Sequence, residues 1–91
     1  MYTDIEYLEL IGIRIKEQRL QLNITQQELA EFAGVSRNTI RLLENGKGIG
    51  MLSFIRILRR LDLDMNLLDL IPEIDKNDPF AKKNNTRKRA S

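Results

Sequence analysis

The side chains best suited to bind a ligand by hydrogen bonds lie in residues 34–48, GVSRNTIRLLENGKG. Arg37 and Asn38 are neighbours, and Arg41 follows one helical turn later. A guanidinium presents a fork of donors, and a carboxamide both donates and accepts, so each can hold a planar ligand at two points. The same three side chains could instead form an ordinary solvated helix face. The elements that surround them decide between these two interpretations.

The composition excludes most catalytic and metal-binding chemistry. The 91 residues include no histidine and no cysteine, which removes disulfides, thiolate metal sites, cysteine nucleophiles and imidazole acid–base catalysis. Asp62 and Asp64 are paired carboxylates, but no Gly-rich phosphate loop accompanies them, and a solvated face explains them better. We therefore expect a protein that is not an enzyme and that binds no metal and no cofactor.

The positive charge of the chain is concentrated at its C-terminus. Residues 1–80 carry 10 Lys/Arg and 13 Asp/Glu, a net of −3, and residues 81–91 carry 5 Lys/Arg and no acid, a net of +5, which together give the overall +2. The basic residues of the body lie between two acidic ends, so a fold that gathers them would still present a basic patch. No apolar run approaches the roughly 18 residues of a membrane span. The acidic N-terminus does not resemble a secretory signal, so we expect a cytoplasmic protein without membrane partners.

Apolar residues at helical spacing predict a first helix over residues 4–22, with Thr3 or Asp4 as its cap. Gly12 is expected to interrupt this helix because glycine is a poor helix former. Residues 1–10 are therefore interpreted as an N-terminal extension that precedes the main domain.

Two short helices follow. Residues 25–28, TQQE, form a capping box that begins one of them, and Gly34 ends it because glycine adopts a left-handed backbone without strain. Ser36 then caps a helix over residues 37–44. Ile40 and Leu43 face inward in this helix, which leaves the polar side chains described above on its outer face.

A fourth helix is predicted over residues 51–61, and after it the spacing of the apolar residues changes. Its inward stripe consists of Met51, Phe54, Leu58 and Leu61.

Residues 61–67, LDLDMNL, alternate apolar and polar side chains as a strand does. The competing prediction is a fifth helix over residues 64–70. A strand here would need a partner chain, which would make a two-stranded ribbon between subunits. Residues 72–91 are predicted to be a disordered basic tail.

Residues 24–47, ITQQELAEFAGVSRNTIRLLENGK, resemble the lambdoid phage repressor/Cro-like, or XRE, helix-turn-helix family. Two short helices joined by a turn with a glycine are the defining feature of that motif. The resemblance covers residues 11–70 and implies an all-α bundle of four to five helices, so the DNA-binding domain is expected over residues 11–71. It also implies a homodimer that binds double-stranded DNA, with the second short helix of each protomer in the major groove.

The resemblance assigns roles to individual residues. The expected base-reading side chains are Arg37, Asn38, Arg41 and Leu42. The expected phosphate contacts are Gln26, Ser36, Thr39, Asn45 and Lys47. Arg19 and Glu44 match a buried ion pair of the family. The expected dimer contacts, from the alternating segment and the outer face of the fourth helix, are Leu63, Met65, Leu67, Leu52 and Ile55.

Three functions remain open at this point. The first is a sequence-specific transcriptional repressor. The second is an antitoxin that binds a kinase-like toxin and represses its own operon, because residues 54–67, FIRILRRLDLDMNL, resemble the Hip-type antitoxin. The third is a protein-interaction module without DNA binding.

Overall fold

The first helix, α1, spans Asp4–Gln21 without a break. Thr3 is its N-cap: the Thr3 hydroxyl accepts the amide of Glu6 at 3.1 Å, and the Glu6 carboxylate accepts the amide of Thr3 at 2.8 Å. The computed structural model describes residues 1–75 and 77. The predicted interruption at Gly12 is wrong, since α1 runs through the expected boundary between residues 10 and 11.

Gly12 has a packing role that local helix propensity does not reveal. A Cβ atom at this position would clash with the carbonyl oxygen of Leu43 and lie 2.9 Å from that of Glu44. These carbonyls belong to the last turn of the third helix. The missing side chain therefore lets α1 lie directly against the end of that helix.

The two short helices are α2, Gln26–Ala33, and α3, Arg37–Glu44. Both predicted N-caps are confirmed: the Thr25 hydroxyl accepts the amide of Glu28 at 3.0 Å, and the Ser36 hydroxyl accepts the amide of Thr39 at 3.1 Å. Gly34 ends α2 with a φ of 73°, in the left-handed region. The tight turn between the helices is thus built from the cap residues that the sequence predicted.

The fourth helix, α4, spans Met51–Arg60. The predicted inward position of Met51 is wrong, since its side chain is 76% exposed, whereas Ile57 is fully buried. α1 and α2 pack against α3, and α2 packs against α4. The core between the four helices consists of Ile15, Leu29, Ala30, Ala33, Ile40, Leu43, Ile57, Leu58 and Leu61.

The chain after α4 turns and does not extend as a strand. Asp62 has a φ of 61°, which is incompatible with strand backbone, and the amide of Leu63 donates to the carbonyl of Leu58 at 2.8 Å. A short 3-10 helix, Leu67–Leu70, follows. Within residues 1–75 and 77 there is no strand, so the ribbon that was predicted from the alternating pattern is not formed by this segment.

The all-α helix-turn-helix fold predicted from the sequence is confirmed. Residues 76 and 78–91 lie outside the described residues. Most of the predicted basic tail belongs to them.

Candidate nucleic-acid interface

The outer face of α3 presents three polar side chains side by side. Ile40 and Leu43 turn into the core, which leaves Arg37, Asn38 and Arg41 exposed around one shallow depression. The cap at Ser36 fixes where this face begins. A row of exposed donors at the start of a helix is the arrangement that can reach base edges in a groove.

The side chains of Asn38 and Arg41 contact each other. The Arg41 guanidinium donates twice to Asn38 Oδ1, from Nε at 3.1 Å and from Nη2 at 2.6 Å. This contact directs the Asn38 oxygen toward Arg41 and leaves its amide nitrogen free to donate elsewhere. The i, i+3 spacing of the two residues permits such a contact, but the sequence interpretation had treated them as independent.

Leu42 occupies an intermediate position on α3. Its side chain is half-buried and so is less exposed than the three polar residues. The Leu42 carbonyl accepts the amide of Lys47 at 2.9 Å. This bond folds the loop after α3 back onto the end of the helix.

A buried ion pair joins α1 to the end of α3. Arg19 Nε donates to Glu44 Oε2 at 2.6 Å, and Arg19 Nη2 donates to Glu44 Oε1 at 3.0 Å. Arg19 Nη1 also donates to the carbonyl of Ile24 at 2.8 Å. The hydrogen bond to Glu44 raises the pKa of the Arg19 guanidinium above its ordinary value, against the opposing effect of burial. The structure therefore brings together the two residues that the resemblance had paired.

Gln26 belongs to the same hydrogen-bonded group. Gln26 Nε2 donates to Glu44 Oε1 at 3.0 Å, which fixes the orientation of a side chain that was expected to contact phosphate. A carboxamide nitrogen carries two hydrogens, so one remains for a further acceptor. All buried side-chain nitrogen and oxygen atoms of the described residues have hydrogen-bond partners. The sequence interpretation missed the hydrogen bond between Gln26 and Glu44, because the two residues are distant in sequence and no local pattern connects them.

The remaining predicted phosphate contacts lie at the two ends of α3. Ser36 and Thr39 lie at its start, where their hydroxyl oxygens are 2.9 Å apart. Asn45 caps its end, and the side chains of Asn45 and Lys47 are exposed. Gly46, with a φ of 77°, turns the chain between them. The loop is thus ordered by its backbone, and its polar side chains point outward.

The residues predicted as dimer contacts differ in their exposure. Leu52, Leu63 and Met65 are exposed, Ile55 is half-buried on α4, and Leu67 packs against the core. Leu67 therefore contributes to the fold of this chain.

Comparison with known proteins places the motif in a family. A family model described as helix-turn-helix matches residues 15–68, which is more than half of the chain. None of the helices in residues 1–75 and 77 has the length and apolar content needed to cross a membrane.

Several curated proteins share short segments with this chain. A helix-turn-helix-type transcriptional regulator of Archaeoglobus fulgidus is 59% identical over 34 residues, which cover 37% of this chain and 48% of that protein. One of Methanothermobacter thermautotrophicus is 54% identical over 33 residues, 36% of this chain and 48% of that protein. A type II methyltransferase of Lactococcus lactis subsp. cremoris is 58% identical over 40 residues, 41% of this chain and 10% of the enzyme. The chain thus spans about half or less of the length of these relatives.

Proposed function

The chain belongs to the helix-turn-helix family, and on that premise we propose that it is a sequence-specific, double-stranded-DNA-binding transcriptional regulator. The observation that carries the proposal is the exposed row of Arg37, Asn38 and Arg41 on α3, opposite the buried Ile40 and Leu43. We assign the chain no enzymatic activity, since the similarity to the methyltransferase covers only a tenth of that enzyme.

Base recognition follows from the chemistry of α3. When α3 enters the major groove, the Arg37 guanidinium donates to both O6 and N7 of a guanine. Asn38 Nδ2 donates to N7 of an adenine, since Arg41 occupies both lone pairs of Asn38 Oδ1. Arg41 already holds the Asn38 oxygen, so it sets the orientation of that amide and reads a neighbouring base or phosphate with its remaining donors. Leu42 contributes an apolar contact to a thymine methyl at the border of this surface.

Phosphate contacts hold α3 in register. Gln26, fixed by Glu44, donates its second amide hydrogen to one strand near the start of α2. Ser36 and Thr39 share one hydroxyl hydrogen between them, so the other hydroxyl hydrogen is donated to phosphate at the start of α3. Asn45 and Lys47 contact the backbone from the loop after α3. These contacts supply affinity without sequence preference.

The proposed functional unit is a homodimer that acts as a repressor. Two recognition helices related by a two-fold axis lie about 34 Å apart and read two halves of a palindromic site. The exposed apolar side chains that follow α4 support this assembly, since large exposed apolar patches mark interfaces. A dimer bound across a promoter would prevent other proteins from using the same DNA.

Selection of bound sequences from a random duplex library tests this function, with measurement of the mass in solution. We expect enrichment of a palindrome whose half-sites are one helical turn apart, and a mass of two chains. Enrichment of a single half-site by a monomer would support base reading by α3 and contradict the proposed homodimer. No retention on any duplex at low salt would favour a protein-interaction module instead.

A second candidate function is that of an antitoxin. It is favoured by the exposed apolar side chains of residues 68–71, which offer a surface for a second protein, and by the resemblance of residues 54–67. A kinase-like toxin encoded next to this chain and copurifying with it would support this role. Stable isolation of the chain without such a neighbour would count against it.

A further inference from the structure

The outward face of α4 carries three arginines. Arg56, Arg59 and Arg60 are exposed, and together with Phe32 and Ala33 of α2 they line an open depression. The Arg60 guanidinium lies 5.1 Å from the centre of the Phe32 ring, within cation–π range. No ion pair joins the three arginines to an acidic side chain within the described part of the chain. We call these five residues the arginine surface.

The arginine surface continues into an apolar area on the same helix. Leu52, Arg56 and Arg59 follow at helical spacing and so share one side of α4. Leu52 is 61% exposed and Phe32 is 49% exposed. A ligand of this face must therefore satisfy positive charge and cover apolar side chains at once.

The segment directly after α4 has the complementary character. Residues 62–71, DLDMNLLDLI, contain Asp62, Asp64 and Asp69 and no basic residue. Four of its apolar side chains are also uncovered: Met65, Leu68, Leu70 and Ile71 are all between 64% and 80% exposed. We call residues 62–71 the acidic segment.

We infer that the acidic segment of one copy of this chain docks on the arginine surface of a second copy. Carboxylates meet guanidiniums, and the exposed apolar side chains of the segment cover Leu52 and Phe32. Each copy carries both surfaces, so a two-fold axis generates the contact twice, as an isologous interface requires. The inference rests on the proposed homodimer and assigns it an interface beyond the apolar residues named above.

Phosphate groups of DNA are the competing ligand for three arginines. A phosphate backbone gains nothing from contact with the half-exposed Phe32 ring or with Leu52 on the same side of α4 as Arg56, whereas the acidic segment matches both the charge and the apolar side chains. The arginine surface is also built from α2 and α4, while the proposed base-reading residues all lie on α3. The two occupants predict different results in one experiment.

The experiment reverses the charges separately and then mixes the products. Variant one carries Arg59→Glu and Arg60→Glu, and variant two carries Asp64→Arg and Asp69→Arg, which avoids Asp62 and its left-handed backbone. Sedimentation of each full-length variant should show dimerisation weakened at least about tenfold, since like charges then face each other at both copies of the contact. An equimolar mixture should recover a dimer, because Glu then faces Arg in one contact and the native pair occupies the other.

Native mass spectrometry of the mixture identifies the recovered species. Heterodimers that outnumber both homodimers support the inference, and Lys16→Glu on the exposed side of α1 provides a control that should leave dimerisation unchanged. If both variants dimerise as strongly as the parent chain, the inferred docking contact is wrong, although the chain still forms a homodimer. A loss of DNA affinity in variant one with an unchanged dimer would assign the arginines to phosphate. A parent chain that is monomeric would instead refute the proposed homodimer itself.

Discussion

The side chains of Arg37 and Asn38, both proposed to read bases, differ in their contacts within the protein. Asn38 Oδ1 accepts two hydrogen bonds from Arg41, whereas no such contact is found for the exposed Arg37 side chain among the described residues. Side chains that are already oriented lose less entropy on binding. We therefore expect the pair Asn38 and Arg41 to act as one unit and Arg37 to act independently.

Replacing Arg37 with alanine should change both affinity and specificity. The loss of two donors to one guanine should cost about 1–3 kcal/mol on the preferred site and relax preference at one base position. Fluorescence anisotropy with a panel of single-base variants of the selected site measures both effects. Lys16→Ala, on the exposed side of α1, serves as the control. An equal loss on every duplex would show that Arg37 contacts phosphate.

A double-mutant cycle tests the contact between Asn38 and Arg41. In the parent chain, Arg41→Ala removes the group that orients Asn38, so its effect on binding includes part of the contribution of Asn38. In the Asn38→Ala background that part is absent, and the effect should be smaller by about 0.5–3 kcal/mol. Affinities of the four proteins for the selected site give the coupling energy. Strict additivity would mean that the contact does not persist in the complex.

Most helix boundaries could be predicted from local pattern because caps are local structures. Thr25, Gly34 and Ser36 act within a few residues of themselves, so spacing alone was sufficient. Gly12 was misinterpreted for the opposite reason: its role is set by carbonyl oxygens of α3, which are distant in sequence. The alternating segment after α4 has a strand-like period, but the left-handed backbone at Asp62 turns the chain before a strand can begin. The link from Gln26 to Glu44 also required the tertiary structure.

Substitution of Gly12 by alanine tests the close approach of α1 to α3. On helix propensity alone, alanine should stabilise α1 by about 1 kcal/mol. Because its Cβ would clash with backbone that cannot rotate away, we expect a net loss of about 1–3 kcal/mol in the free energy of unfolding. Urea denaturation followed by circular dichroism measures the change.

Gly48 provides the matched control for this substitution. A Cβ atom at Gly48 would meet no other atom within 4 Å, and its backbone is outside the left-handed region. Gly48→Ala should therefore leave the free energy of unfolding within about 0.5 kcal/mol of the parent value. A Gly12→Ala protein as stable as this control would show that α1 can move away from α3 at little cost.

At the scale of the whole molecule, the buried ion pair connects the fold to the proposed DNA surface. Arg19 of α1 and Gln26 of α2 both donate to Glu44 at the end of α3. Three helices are thereby fixed relative to one another close to the loop that carries Asn45 and Lys47. Buried charges of this kind stabilise little by themselves, but loss of one partner is costly. Their role here is to hold the proposed phosphate contacts in one arrangement.

The salt dependence of DNA binding tests that arrangement and the dimer together. Each neutralised phosphate releases counterions and contributes about −0.9 to the slope of log K against log salt concentration. A homodimer carries two copies of Lys47, so Lys47→Ala should reduce the magnitude of that slope by about 1.8 on a full palindrome. On an isolated half-site bound by one chain, the reduction should be about 0.9. Anisotropy titrations over a range of salt concentrations measure both slopes, with Lys16→Ala as the control. An equal reduction on both DNAs would show that only one protomer places Lys47 on the DNA backbone. An unchanged slope would show that Lys47 does not contact phosphate.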